Sequence, residues 1–395
     1  MIDPQPIYLD HNATTPVDER VLAVMLPFFT REFGNAASRQ HAPGRFAATA
    51  VEIARQQVAA LIGAEDREIV FTSGATESNN LALKGAAKWL RDEGKRGDHI
   101  VTSSIEHSSV REVCHHLEAR GFRVTYVDPS PAGVVSPEAI AAAITDRTSL
   151  VSVMWANNEI GTINDAPGIG ALCKDRDIIF HSDATQMVGK LPVDVNAASV
   201  DLLSLSAHKL YGPKGVGALF MRRKKPRVRV EPQIDGGGHE RGVRSGTLNV
   251  PGIVGLGSAC ELAGRLMVDE ARRLCTLRDR FEAELLRQID GATVQGGASR
   301  RVPGTTNIAF PGVDAERMIA RLPGVACSSG AACTTAAMQS SQVLRRLGMS
   351  EAAARSAIRF GLGRLTTAQQ VERAVALIVD AYRNVERGDA VGCEV

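Results

Sequence analysis

One stretch of the sequence, residues 202–215, reads LLSLSAHKLYGPKG. Its apolar first half is typical of a buried strand, and Lys209 follows before a Gly/Pro turn. In α/β proteins the carboxyl ends of strands face the ligand crevice. A lysine amine there becomes nucleophilic when burial or neighbouring cations favour loss of its proton. The placement suggests a lysine that forms an imine with a carbonyl compound, although most lysines simply lie at the surface.

A carboxylate closes a second strand pattern upstream of this lysine. Residues 178–182 read IIFHS and lead directly into Asp183. Pyridoxal phosphate works as an electron sink only while its ring nitrogen stays protonated, and a carboxylate against that nitrogen keeps the proton in place. Asp183 fits this role, and a helix N-cap is an equally compatible interpretation of the residue alone.

A third segment predicts an anion site. The apolar run at 68–71 leads into TSGATE at 72–77, and a helical pattern follows. Backbone N–H groups at a helix N-terminus attract phosphate, and the hydroxyls of Ser73 and Thr76 add donors. An ordinary Ser/Thr cap would give the same pattern. Together with the lysine and the aspartate, the segment favours a phosphate cradle.

Strand and helix patterns alternate from about residue 50 to 225, which predicts an α/β fold with a mostly parallel sheet covered on both faces. The apolar runs that would form a seven-stranded sheet are 69–72, 99–103, 123–127, 150–155, 178–182, 202–206 and 216–221. After a long helical segment, scattered strand patterns at 306–310, 324–327 and 357–362 predict a smaller α+β domain. We expect a large domain over 15–257, and a small domain formed by 1–14 and 258–395.

The composition and charge of the chain narrow the classes of protein to which it can belong. The 395 residues are 44% apolar, as in ordinary soluble enzymes, and the formal charge of +2 gives no electrostatic case for nucleic acid. There is neither a leader pattern nor an apolar run of about eighteen residues, so we expect no membrane contact and a cytoplasmic location. Seven cysteines without paired spacing argue against a disulfide scaffold and a resident metal site.

Seven segments, in order along the chain, resemble the cysteine desulfurases of the NifS/IscS type, which belong to the class V aminotransferase group. These segments are YLDHNATTP at 8–16, SGATESN at 73–79, NNEIG at 157–161, SAHK at 206–209, GGGHERG at 236–242, RSGT at 244–247 and SSGAACT at 328–334. The resemblance covers about residues 7 to 385. It implies a fold-type-I pyridoxal-phosphate-dependent transferase whose large domain binds the cofactor.

The resemblance also implies which residues hold pyridoxal 5'-phosphate. His107 would stack on the cofactor ring and act as an acid or base, although a histidine that starts a helix is the alternative. Thr247 would reach the phosphate of the other subunit, which implies a homodimer. The full cofactor set is Ala75, Thr76, His107, Asn158, Asp183, Gln186, Ser206, His208, Lys209 and Thr247.

Arg359 is the candidate for binding a substrate carboxylate. It stands in the strict alternation IRFGL at 358–362, so its side chain lies opposite the apolar face of the strand. A guanidinium can hold a carboxylate by two parallel hydrogen bonds, and the resemblance places the substrate arginine here. Asn12 and Asn158 complete the implied substrate set. The alternative is a surface arginine on an edge strand.

Cys333 indicates which reaction the cofactor would serve. Residues 327–337 read CSSGAACTTAA, a run of small residues that leaves the thiol accessible. A thiolate can attack the sulfur of cofactor-bound cysteine and become a persulfide. The implied activity is a cysteine desulfurase on L-cysteine, with Cys333, Lys209 and His107 as catalytic residues. Cys327 fits core packing instead.

The persulfide would pass to a sulfur-acceptor protein such as an iron–sulfur scaffold, and Cys333 could also ligate a transferred cluster. After this cysteine the chain reads MQSS at 338–341, where family members commonly have Leu-Glu-Pro-Ser. Two alternatives stay open. A selenocysteine lyase or related class V aminotransferase would not need Cys333, and a non-catalytic dimeric scaffold for iron–sulfur assembly would lack the cofactor.

Overall fold

The computed structural model describes residues 6–92, 97–224, 227–329 and 340–386. Its strands are β1 (Ile7–Tyr8), β2 (Ile69–Thr72), β3 (His99–Ser103), β4 (Arg123–Val127), β5 (Thr148–Ser152), β6 (Ile179–Asp183), β7 (Leu202–Ser206), β8 (Gly217–Met221), β9 (Thr293–Val294), β10 (Thr305–Ala309), β11 (Val325–Ala326) and β12 (Ala357–Gly361). Its α-helices are α1 (Glu19–Met25), α2 (Pro27–Thr30), α3 (Ala42–Ile62), α4 (Ala75–Asp92), α5 (Ser108–Glu118), α6 (Pro137–Ala143), α7 (Ala166–Asp175), α8 (Val250–Gln288), α9 (Ala315–Ala320), α10 (Gln342–Arg346), α11 (Glu351–Arg355) and α12 (Ala368–Glu386).

Seven strands form the central sheet in the order β2-β8-β7-β6-β5-β3-β4. The pairs from β7 to β4 are parallel, and β8 is antiparallel to both of its neighbours. Strands β3, β5, β6, β7 and β8 are buried at every position, as expected for a sheet with helices on both faces. The predicted α/β class with a mostly parallel seven-stranded sheet is therefore confirmed.

Alternate residues of the strands enter two different cores on the two faces of the sheet. Phe180 and Leu203 belong to one core, together with residues of α3 and the first turns of α8. Ile179 and Leu202 belong to the other core, together with α4 and α5. This alternation of neighbouring residues between the faces is the period-two pattern of a pleated strand.

A separate core lies among the C-terminal strands and helices. Phe281 of α8 packs edge to face on Phe360 of β12, with ring centroids 5.0 Å apart. Leu9, near the N-terminus, belongs to this same core. The predicted domain boundary after residue 257 falls within α8, which spans 39 residues and contributes to both the large core and this one. The division into domains at that position stays a prediction.

Two strands were not predicted from the sequence. These two strands are β1, which pairs in parallel with β11, and β9, which pairs with β10. Each is two residues long, which is too short for a periodic pattern to show. β1 matters for the site because the segment after it reaches the end of β7, where the Thr15 N–H donates to the His208 carbonyl. Among the helices in the described ranges, none is both long and apolar enough to cross a membrane.

Candidate active site

A cavity of about 510 Å³ opens where the parallel strands of the central sheet end. It is bordered by the segments that follow β2, β3, β5, β6 and β7, and β12 closes it from the C-terminal part of the chain. The predicted site residues that line it are Asn12, Ala75, Thr76, His107, Asn158, Asp183, Gln186, Ser206, His208, Lys209 and Arg359. A cavity of about 650 Å³ at the amino ends of the strands contains no predicted site residue.

Lys209 lies in a one-turn 3-10 helix directly after β7. Its Nζ donates hydrogen bonds to the backbone carbonyls of Asn12 and Ala13, the second at 2.7 Å. The segment that supplies these carbonyls is held in place as well, because the Thr15 hydroxyl donates to the His208 carbonyl at 3.0 Å. The segment after β1 therefore crosses the cavity beside the lysine.

Asp183 is the last residue of β6, and its buried carboxylate reaches the cavity. One oxygen, Oδ2, accepts from Asn79 Nδ2 at 2.7 Å, and Oδ1 accepts from the Thr185 backbone N–H at 3.0 Å. Asn79 Nδ2 also donates to Ser109 Oγ at 2.8 Å, and that hydroxyl lies 2.8 Å from His107 Nδ1. A continuous hydrogen-bond chain thus joins the aspartate to the imidazole.

His107 is the N-cap of α5, so the interpretation as a helix-start histidine is compatible with its position in the cavity. Its Nδ1 accepts from the Ser109 backbone N–H at 3.2 Å. A neutral ring that accepts at Nδ1 carries its proton on Nε2. Burial lowers the pKa of His107, which favours this neutral form at neutral pH.

The turn between β2 and α4 forms the candidate phosphate end of the cavity. The first N–H groups of a helix, here those from Ala75 onward, have no partner inside the helix. Gly217 of β8 passes so close that a Cβ atom there would lie 2.7 Å from the Cα of Gly74. Burial, with smaller contributions from nearby lysines, lowers the pKa of His208 to about 4. The free N–H groups, together with Lys209 and Lys214 in the same cavity, favour an anion here.

Glu77 fixes this turn from both sides. Its Oε2 accepts from the Ser73 backbone N–H at 2.8 Å, and its Oε1 accepts from Arg244 Nε at 2.8 Å. Arg244 stands three residues before Thr247, so the ion pair ties the turn to the segment that bears this threonine. Thr247 itself is exposed and does not line the cavity of its own chain.

Arg359 enters the cavity from β12 and is only 2% exposed. Its Nη2 donates to Asp10 Oδ1 at 2.8 Å, and its Nη1 donates to the Asn158 carbonyl at 3.1 Å. Its Nε is buried and has no hydrogen-bond partner within the described part of the chain. Ile358 and Phe360, on either side, are buried in the C-terminal core. The strand alternation therefore separates the guanidinium from its apolar neighbours.

The donor set of the cavity fits pyridoxal phosphate. It offers an amine on Lys209, a buried carboxylate on Asp183, and a helix N-terminus flanked by small hydroxyl residues. The hydroxyl of Thr185 also lines the cavity, buried and without a hydrogen-bond partner among the described residues. A polar ligand would satisfy such a group, which is costly to leave unpaired.

Sequence reasoning missed several residues that shape the site, namely Asp10, Asn79, Ser109, Thr185 and Lys190. The strongest available signal was Asn79, which together with Ser78 is a buried polar residue on a face of α4 that is otherwise apolar. Cys333 belongs to the segment 330–339, which lies outside the described residues.

The comparisons with known proteins agree with the fold and with the motifs. The family described as "Aminotransferase class-V" matches residues 7–374. The chain belongs to the class V aminotransferase family. The resemblance stated from the motifs is thereby confirmed.

Two curated members of this family are especially similar to the chain. The chain is 53% identical over 380 residues to the cysteine desulfurase IscS of Anaeromyxobacter sp. (strain Fw109-5), which covers 96% of this chain and 93% of that protein. It is 51% identical over 373 residues to the cysteine desulfurase IscS of Rickettsia africae (strain ESF-5), with 94% and 90% covered. A solved structure titled "NIFS-LIKE PROTEIN" superposes with a TM-score of 0.88 at 36% identity, over 95% of this chain and 99% of that one.

Proposed function

We propose that this protein is a pyridoxal-phosphate-dependent cysteine desulfurase, which converts L-cysteine to L-alanine and keeps the sulfur as a persulfide on Cys333. One observation carries the proposal. Lys209, Asp183 and Arg359 come from distant parts of the chain and line one cavity, in a protein 53% identical to a curated cysteine desulfurase. The amine, the buried carboxylate and the guanidinium are the groups that a lysine-bound cofactor and an amino-acid substrate require.

Pyridoxal phosphate, when bound, supplies an electron sink for an amino acid attached to it. Lys209 would hold the cofactor and move the substrate's α-proton. Asp183, held by Asn79 and Thr185, would keep the ring nitrogen protonated. Thr76, with Ala75, Ser206 and His208, would bind the phosphate.

The neutral His107 presents a flat ring and a proton on Nε2, so it suits both stacking and proton transfer. The amides of Asn158 and Gln186 would hold the cofactor ring oxygen. Arg359 would bind the substrate α-carboxylate, since it keeps a buried Nε donor without a described partner. Asn12 would complete the substrate site beside it.

Cys333 would take the sulfur atom. Its thiolate attacks the sulfur of the bound cysteine, an S–S bond forms, and the C–S bond breaks. The electron pair of the broken bond stays with the substrate carbon, which takes up a proton and becomes the methyl group of alanine. Cys327 is poorly suited to this step, because burial raises the pKa of its thiol to about 12.

The proposal extends to the oligomeric state, the sulfur acceptor and the location of the protein. Thr247 is exposed on its own chain, which supports a homodimer in which it reaches the partner's phosphate site. The persulfide would go to an acceptor such as an iron–sulfur scaffold protein. A cytoplasmic location suits a protein whose five described cysteines are all free thiols.

The test is turnover of L-cysteine by the purified protein. We expect a visible absorbance band from the bound cofactor, and alanine and sulfide in equal amounts when a thiol reductant is present. Lys209→Ala should lose the band, whereas Lys88→Ala, on the exposed surface of α4, should keep it. A colourless wild-type protein would support the scaffold alternative, and turnover of L-selenocysteine alone would support the lyase.

A further inference from the structure

Lys190 is a cationic residue beside the cavity that the proposed reaction does not use. Its Nζ lies 2.5 Å from Oε1 of Gln186, a residue that is only 5% exposed. Lys190 also lines a small cavity of about 30 Å³ together with Asn12 and Lys209. Those two residues line the main cavity as well. Lys190 therefore lies beside Asn12 and Lys209 without lining the main cavity itself.

The hydrogen bonds of Gln186 fix which end of its amide faces which neighbour. Its Nε2 donates to the backbone carbonyl of Asn12 at 3.0 Å. That carbonyl can only accept, and it also receives a hydrogen bond from Lys209. The nitrogen of the amide must therefore face Asn12 and Lys209, and the oxygen must face Lys190. Lys190 supplies the donor that this buried oxygen needs.

Without that donor, the Gln186 amide could adopt only two orientations, and both are unfavourable. A buried amide oxygen without a hydrogen bond is costly, and rotation of the amide would point its oxygen at the Asn12 carbonyl. Burial, together with the positive charges of Lys209 and Arg359, lowers the pKa of Lys190 to about 7. Both the charged and the neutral amine carry N–H groups, so the hydrogen bond to Gln186 is available across neutral pH.

We propose that Lys190 is a positioning residue, which holds the Gln186 amide with its N–H groups directed to the side of the cavity where the cofactor ring oxygen binds. The proposal rests on the proposed cofactor and adds a residue that positions one of its ligands, Gln186. Lys190 would then set how tightly the cofactor is bound and how its ring oxygen is hydrogen-bonded.

The test compares Lys190→Met, which keeps the length of the side chain but no donor, with Lys190→Arg, which keeps a donor. Lys174→Met, an exposed lysine of α7, is the matched control. Each variant is also made together with Gln186→Ala. The readouts are the dissociation constant of pyridoxal phosphate from equilibrium dialysis, the pH midpoint of the bound cofactor's absorbance change, and the thermal midpoint of the apoprotein.

We expect Lys190→Met to weaken cofactor binding about tenfold and to raise the pH midpoint, because a ring oxygen with one donor fewer holds a nearby proton more tightly. Lys190→Arg should restore most of both values. In the Gln186→Ala background, Lys190→Met should no longer weaken cofactor binding. The other titratable and charged groups around Lys190 are unchanged in every variant, namely His11, His208, Lys209, Tyr211, Glu270 and Arg359.

Equal effects of Lys190→Met with and without Gln186 would overturn the proposal, and so would a lower thermal midpoint with unchanged cofactor affinity. If Lys190→Met does not fold, Lys190→Leu, which also lacks a donor, is measured in its place against the same double variant. Failure of the proposed function is a separate outcome, because the wild-type protein itself would then bind no pyridoxal phosphate in the dialysis.

Discussion

Asn79 donates a hydrogen bond of 2.7 Å to the carboxylate of Asp183, although 104 residues of sequence separate them. Helix α4 brings the amide to the end of β6, where the same nitrogen reaches Ser109 Oγ. A carboxylate in a buried site keeps its charge best when it accepts such hydrogen bonds. In the proposed site α4 would therefore do more than bind the phosphate, because it would also support the carboxylate that is proposed to face the ring nitrogen.

Asn79→Leu, which is similar in volume, should weaken retention of pyridoxal phosphate by about tenfold. The reason is that a hydrogen bond to a charged group contributes about 1.5 to 3 kcal/mol, part of which is expressed in cofactor binding. The measurement is an absorbance titration of the apoprotein. Asn384→Leu, whose amide donates to the exposed Asp380 in α12, is the control. An unchanged affinity in Asn79→Leu would show that Asp183 does not need this partner.

Arg359→Ala should raise the KM for L-cysteine and lower kcat/KM by about tenfold to a hundredfold, since it removes charge-assisted contacts to a carboxylate. Cofactor absorbance should be unaffected. Arg287→Ala, on the exposed surface of α8 beside Glu284, should behave like the wild type. Steady-state alanine production checks both variants, and normal kinetics in Arg359→Ala would mean that another cation binds the substrate.

The strands and the position of Arg359 could be predicted because both depend on local periodicity. Each long apolar run became a strand of the central sheet within a few residues. The alternation at 358–362 placed the guanidinium opposite the apolar face, as the structure also does. The residues that follow strand ends were predictable for a related reason, since parallel strands bring their carboxyl ends to one edge of the sheet.

The supporting contacts could not be predicted, because each depends on a partner far away in sequence. Lys190 reads as an ordinary lysine until the fold brings Gln186 and the segment after β1 beside it. Asp10 lies 349 residues from Arg359, and a backbone bridge from Asp10 to Gly361 of β12 brings them together. No periodic pattern encodes such pairs.

Stability should fall as the pH is lowered below about 6.5, and His181 should account for a measurable part of this. Its ring is fully buried between Ser152 Oγ at 2.9 Å and Ser204 Oγ at 3.1 Å. Burial lowers the pKa of His181 to about 4. Between about pH 6.5 and 4, His181 is protonated in the unfolded chain but stays neutral in the folded protein. The free energy of unfolding therefore decreases over this window.

The difference between the pKa of His181 in the folded protein and its ordinary value corresponds to roughly 3 kcal/mol of unfolding free energy at most. His181→Gln, which keeps a polar group between the serines, should therefore show a smaller loss of unfolding free energy between pH 7.5 and 5 than the wild type. Urea denaturation at the two pH values measures the difference. Identical losses in the two proteins would mean that His181 is protonated in the folded state or that its proton affinity does not change on unfolding.

Cys333→Ser tests the reaction itself and leaves the described cavity intact. The variant should bind pyridoxal phosphate and L-cysteine normally, because Lys209, Asp183 and Arg359 are unchanged. Alanine and sulfide production should fall by several orders of magnitude, since a hydroxyl is a far poorer nucleophile toward sulfur and cannot carry a persulfide. Cys327→Ser is the matched control and should stay active, because the raised pKa of the half-buried Cys327 thiol keeps its proton in place at neutral pH.

Peptide mapping separates the two cysteines directly. Wild-type protein that has been treated with L-cysteine and then alkylated should gain one sulfur atom on the peptide bearing Cys333, and none on a peptide bearing only Cys327. A protease that cleaves between the two residues, or the Cys327→Ser variant, resolves the assignment, because they stand six positions apart. Near-normal activity in Cys333→Ser would refute the persulfide step. The same cavity would then serve a lyase or aminotransferase reaction, in which the sulfur or amino group leaves without passing through a protein thiol.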